Sequence, residues 1–111
     1  MAVPVLFIPG FMQPAGAWAP TAEQLEPPTT LLDHREHSFE GRLEEIAAAG
    51  AQALLVGYSL GGRLALRAAL RDPARYAGLV TVGATAGIDE PAERAARAQA
   101  DERLASWIEA A

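Results

Sequence analysis

Four short runs of β-prone, mostly apolar residues alternate with longer runs of helical spacing, and this alternation constrains the fold more than any other feature of the chain. The first, Val3 to Ile8, is continuously apolar and closes on Pro9-Gly10, the pattern of a strand buried on both faces. Thr29 to Asp33, Ala53 to Val56 and Leu79 to Val82 read as three further strands. Between the first two, Trp18 to Glu26 reads as a short helix with Pro20 at an early position and Pro27-Pro28 as its stop. Phe39 to Ala49 places Leu43, Ile46 and Ala47 on one helical face ahead of Gly50. Leu60 to Arg71 is a helix ended by Asp72-Pro73, and an Ala-rich helix runs from Pro91 to about residue 110. Strands separated by helices of this length are joined by right-handed crossovers, which make a parallel sheet. The expected class is α/β: one domain over residues 1–111, with a mostly parallel sheet of about four strands, flanking helices and a terminal cap-type helix.

Composition narrows the partners. Half of the 111 residues are hydrophobic and 21% are charged, the balance of a globular chain with its own core. A net charge of −5 argues against a nucleic-acid or anionic membrane partner. All nine basic residues are arginine, which for most of them reflects a coding bias. The absence of cysteine excludes disulfides and thiolate metal sites. The N-terminus lacks a basic region, and no stretch approaches the roughly 18 apolar residues of a membrane helix. A cytoplasmic protein is the default expectation.

The chemistry concentrates in Gly57-Tyr58-Ser59-Leu60-Gly61-Gly62-Arg63, between the third strand and its helix. A Gly-x-Ser-x-Gly corner at such a junction lifts the serine hydroxyl above the sheet edge. The glycines at 57 and 61 permit close packing that a Cβ would block. The following helix aims its N-terminal dipole and free N–H groups at the place where negative charge develops. The Leu60 N–H is one oxyanion donor, and the Phe11 N–H in the loop after the first strand is the natural second. The competing interpretation makes Ser59 a simple helix cap. Ser59 is expected instead to be catalytic.

On these residues the chain resembles the N-terminal half of an α/β-hydrolase. Three stretches, "VLFIPGFMQPAGAW", "LLVGYSLGGRLALRAAL" and "GLVTVGATAGIDEPAERAARAQADERLASWIE", resemble more particularly the SHCHC synthases of the menaquinone pathway, lyases of that fold. The resemblance implies Ser59 as the triad serine, Phe11 and Leu60 as oxyanion donors and Tyr58 as a pocket residue. It makes Arg63 and Arg97 substrate-binding arginines. Guanidinium forks clamp carboxylates in bidentate fashion, and the family's substrate carries several. In such a lyase the serine acts as a base and pyruvate is eliminated, whereas in an esterase it attacks a carbonyl. The implied substrate is a small-molecule carboxylate or ester, with no cofactor and no metal. Pro9-Gly10 departs from the family's usual His-Gly, and "DHREHSFEG" replaces its usual Asp-x-Pro-Gly-His-Gly.

A triad of this fold runs in the order Ser, acid, His. Both histidines, His34 and His37, precede Ser59, and none follows it. Asp72, Asp89 and Asp101 follow, but Asp72 closes a helix and Asp101 lies within one. His37 reaches the same sheet edge but is expected to be an exposed loop residue. Leu104, Trp107 and Ile108 lie close together on the terminal helix with no sequence after them to cover them. The expectation is a partial chain that self-associates or works with a missing C-terminal half. Three functions stand open: a synthase-type lyase, a serine esterase or acyl hydrolase, and a non-catalytic half-domain that oligomerises.

Overall fold

The computed structural model describes residues 3–84 and 91–110. Four parallel strands, β1 (Val5–Ile8), β2 (Thr29–Leu31), β3 (Leu54–Tyr58) and β4 (Gly78–Val82), form a sheet in the order β2-β1-β3-β4. Val5 aligns with Thr29 on one side and Leu54 on the other, and Leu54 aligns with Gly78. The helices are α1 (Ala19–Ala22), α2 (Phe39–Ala49), α3 (Leu60–Arg71) and α4 (Pro91–Ala110), with a 3₁₀ turn at Ala15–Trp18 before α1. The parallel α/β class expected from the alternation is the class observed.

The first helical segment departs most from its pattern. It begins earlier and is shorter, a 3₁₀ turn leading into one α-turn. Pro20 pre-sets the first turn of α1. The bonds from Gln24 N–H to the Thr21 carbonyl and from Leu25 N–H to the Ala22 carbonyl then span three residues rather than four, so the helix tightens and stops. β3 runs further than its apolar run because Gly57 and Tyr58 still pair with Thr81 and Val82. β2 stops earlier, at Leu31, which pairs with Phe7.

The period of two divides the side chains between the sheet's faces. Leu6, Ile8 and Leu55 meet Leu43 and Ile46 of α2 and Leu64, Ala65 and Ala68 of α3 in the larger core. Ile8, Ile46, Leu55 and Leu64 are fully buried; burial of one such side chain stabilises by about 1.5–3 kcal/mol. On the opposite face Val5, Phe7 and Ala22 form a smaller cluster, with Trp18 stacked 4.9 Å from the Phe7 ring. That face is covered only in part: Val80 and Val82 of β4 are 43% and 47% exposed. The sheet order reverses at β1, since β2 lies on one side of it and β3 on the other. The loops leaving the carboxyl ends of β1 and β3 therefore flank a crevice where ligands of open α/β sheets bind.

Candidate active site

Ser59 stands at the corner between β3 and α3 with φ 53° and ψ −117°, a left-handed conformation that serine rarely adopts. Packing on every side holds it there. Its N–H donates to the Val82 carbonyl at 2.8 Å, and its carbonyl accepts from the Gly62 N–H at 2.9 Å and the Arg63 N–H at 3.2 Å. A Cβ on Gly57 would collide with the backbone of Gly61 and lie 2.7 Å from the Gly62 Cα. A Cβ on Gly61 would strike the carbonyls of Ile8 and Pro9. One on Gly10 would lie 3.0 Å from the Tyr58 carbonyl and 3.4 Å from the Ser59 Cβ. Three glycines thus let the end of β1, the end of β3 and the first turn of α3 meet backbone to backbone.

The Ser59 side chain makes no capping bond to α3. A cap would have accepted from an N–H of the first turn, so the competing interpretation finds no support in the geometry. No acidic residue occupies that first turn, leaving the positive end of the α3 dipole unneutralised. The Leu60 and Phe11 N–H groups have no acceptor among the described residues. The one bond that shapes the Phe11 loop from a side chain is Gly10 N–H to Gln13 Oε1, 2.9 Å.

A cavity of about 340 Å³ opens over this corner. Phe11, Ser59, Leu60, Arg63 and Arg97, five of the six residues singled out from the sequence, line it together. The sixth, Tyr58, does not line it; its ring lies beside Gly10 and is 39% exposed. The Arg63 side chain is exposed and makes no hydrogen bond or ion pair among the described residues. Arg97 pairs with Asp101 at 3.0 Å, an exposed i,i+4 bridge that also lines the cavity. The remaining wall is Leu104, Ala105 and Ile108. Two of the apolar residues of the terminal helix therefore face the cavity, while Trp107 stays 70% exposed. The spacing 97, 101, 104, 105, 108 marks one helical face, a signal that the sequence carries and that was legible only as unspent hydrophobicity.

No histidine lines this cavity. His37 is exposed, and Asp89 lies outside the described residues. His34 occupies a separate place. Its Nδ1 is 3.0 Å from Glu45 Oε1, and Glu45 also accepts from the N–H groups of Arg35 at 2.8 Å and Glu36 at 3.3 Å. Burial alone would raise the Glu45 carboxyl, but these bonds and the nearby imidazole outweigh it and hold the group below its ordinary range. The His34 Nε2 is buried without a partner among the described residues, an arrangement that costs about 1–3 kcal/mol if left unmet. β1 lies between β2 and β3, so the loops carrying His34 and Ser59 leave strands about 9–10 Å apart. Nothing in the residue order singled out this His–Glu pair, because its members are eleven positions apart on different elements.

No family model matches the chain. Among proteins of known name, it is 32% identical to the 2-succinyl-6-hydroxy-2,4-cyclohexadiene-1-carboxylate synthase (SHCHC synthase) of Enterobacter sp. (strain 638), over 95% of this chain and 45% of that protein. It is 48% identical over 52 residues to the synthase of the same name from Citrobacter koseri, covering 47% of this chain and 21% of that protein. The chain spans less than half the length of these relatives. Among solved structures, an esterase from Thermogutta terrifontis superposes with a TM-score of 0.68 and 23% identity, over 94% of this chain and 45% of that one. A deformylase of N-formylmaleamic acid from Pseudomonas putida S16 gives 0.66 and 24%, over 78% and 40%.

Proposed function

The chain has the N-terminal part of an α/β-hydrolase fold and resembles the SHCHC synthases; on that premise we propose that it carries half of an enzyme active site, of lyase type, acting on a small polycarboxylate. The observation that carries the reading is the convergence of Ser59, Arg63 and Arg97 on one cavity. In this reading Ser59 is the reactive serine of a nucleophile elbow, and the Leu60 and Phe11 N–H groups hold developing negative charge. Arg63 and Arg97 clamp substrate carboxylates, Arg63 directly and Arg97 after parting from Asp101. Serine needs a base to lose its proton, and no imidazole lines the cavity. The base and its orienting acid are supplied from outside these 111 residues, by further polypeptide of the length its relatives have or by a second copy. The exposed Val80 and Val82 face is where such a partner docks.

A second reading, a serine hydrolase, draws on the two unengaged N–H groups beside Ser59 and on the esterase and deformylase likeness. Pyruvate release from the synthases' own substrate and turnover of p-nitrophenyl esters separate the two. The assays are run on the chain alone and mixed with the C-terminal portion of the Enterobacter relative. Pyruvate release that Ser59→Ala abolishes bears out the lyase. Ester turnover without pyruvate release overturns it in favour of the hydrolase. Silence in both assays, with and without the added portion, leaves a non-catalytic half-domain.

A further inference from the structure

Gly10 is gripped at both of its backbone groups by one residue, Gln13. Its N–H donates to the Gln13 Oε1 at 2.9 Å, and its carbonyl accepts from the Gln13 N–H at 3.1 Å. Only the oxygen of a side-chain amide can meet an N–H, so the first bond also fixes which way the Gln13 amide is turned. Gln13 is itself held from the other side. Pro14 restricts it to extended backbone. Pro14 leads into the 3₁₀ turn whose last residue, Trp18, stacks on Phe7 of β1.

What these bonds control is the plane of the peptide between Gly10 and Phe11. That peptide bond is trans, so the Gly10 carbonyl and the Phe11 N–H lie in one plane and point opposite ways. Holding the carbonyl on Gln13 therefore holds the Phe11 N–H on the outer side of the turn. The backbone bond does not secure this by itself. Met12, the third residue of the turn, sits at φ 59° while Phe11 has no positive φ; this is the pattern of a type II turn, which favours glycine at that place. A left-handed methionine costs about as much as one backbone hydrogen bond returns, so the side-chain bond tips the balance. Gly10 supplies no stiffness of its own. As glycine it is the freest residue of the loop, and a Cβ there would lie 3.0 Å from the Tyr58 carbonyl.

We propose, on the footing of the oxyanion role given above to the Phe11 N–H, that Gln13 is the residue that positions this donor, by gripping Gly10 at its N–H and its carbonyl. Gln13 does not line the Ser59 cavity, so it acts through the loop and not on substrate.

The test is nuclear magnetic resonance on the full ¹⁵N,¹³C-labelled chain. In the unaltered chain, a coupling across the hydrogen bond should join the Gly10 nitrogen to the Gln13 side-chain carbonyl carbon. In Gln13→Met, which removes the acceptor at similar length, the Gly10 amide should exchange about tenfold faster. The Phe11 N–H residual dipolar coupling should collapse there, while those of β1 and β3 stay as they were. Gln13→Glu keeps an acceptor and should restore the Phe11 value. Absence of the coupling across the bond, or an unmoved Phe11 orientation in Gln13→Met, overturns the proposal. Turnover by the chain mixed with the C-terminal portion of the Enterobacter relative tests the underlying oxyanion role. There Gln13→Met should lower kcat by about ten- to a hundredfold with little change in KM. A reoriented Phe11 with undiminished kcat overturns the oxyanion role and leaves only the hold of Gln13 on the loop. Silence in that assay counts against the catalytic reading alone, and the Phe11 orientation still decides the part of Gln13.

Discussion

Ser59 holds φ at 53° because the hydrogen bonds and backbone contacts around it leave no other path from β3 into α3. Such strain costs about 1–3 kcal/mol, and glycine relieves it while raising the conformational entropy of the unfolded chain, which offsets part of the gain. Ser59→Gly is therefore expected to be more stable than Ser59→Ala by about 1 kcal/mol in urea unfolding, and both lack any Ser59-dependent activity. Equal stability of the two would show that the corner is unstrained. Arg63→Ala is expected to raise KM in any carboxylate reaction by about ten- to a hundredfold, the worth of a hydrogen bond to a charged group. Arg97→Ala should do less, since its exposed pairing with Asp101 competes with substrate. Glu45 sets a pH dependence. Its folded-state carboxyl is held below its ordinary range, so its stabilisation is complete above that range and is lost as pH falls through the depressed value. Glu45→Gln should cost about 1–2 kcal/mol at neutral pH. Between pH 7 and 3 its denaturation midpoint should fall less steeply than that of the unaltered chain.

At the scale of elements, α3 and α4 make opposite cases. α3 buries Gly61, Gly62, Leu64, Ala65 and Ala68, and its first turn rests directly on the end of β1. Gly61→Ala places a methyl against the Ile8 and Pro9 carbonyls and should cost about 1–3 kcal/mol or more, as overpacking does. α4 buries nothing along its 20 residues. Removing residues 91–111 should change the unfolding free energy by less than about 1 kcal/mol, measured by denaturant titration, while taking away the Arg97 wall of the cavity. A large loss on removal would mean that α4 is packed more firmly than its exposure implies. The difference has a simple origin: α3 joins the neighbouring strands β3 and β4 and must lie on the sheet, whereas α4 connects no two of the described strands.

At the scale of the molecule, one sheet face is closed by α2 and α3, and the other is closed only near Phe7 and Trp18. Val80 and Val82 share that open face, in register with Val56 and Tyr58. A lysine at either position should leave the unfolding free energy within about 0.5 kcal/mol of the original, since no core contact is lost. If a second copy covers the face, sedimentation should show concentration-dependent association that Val80→Lys with Val82→Lys abolishes. Association that persists in the double variant would place the interface elsewhere. The sequence by itself determined the α/β class, because a period of two in short apolar runs and of 3.6 between them admits few architectures. It also determined the corner at Ser59 in part, since Gly57 answers to the backbone of Gly61 and Gly62 within one turn, whereas Gly61 answers to the Ile8 and Pro9 carbonyls brought there by the sheet. Only the tertiary structure decided what meets at that corner. Arg97 and Phe11 reach Ser59 through a helix and a loop distant in sequence, and Tyr58, its immediate neighbour, points elsewhere. The His34–Glu45 pair, too, exists only because the loop after β2 folds back onto α2. Spacing along a chain reports the face of an element, and the docking of one element on another depends on the packing of whole surfaces.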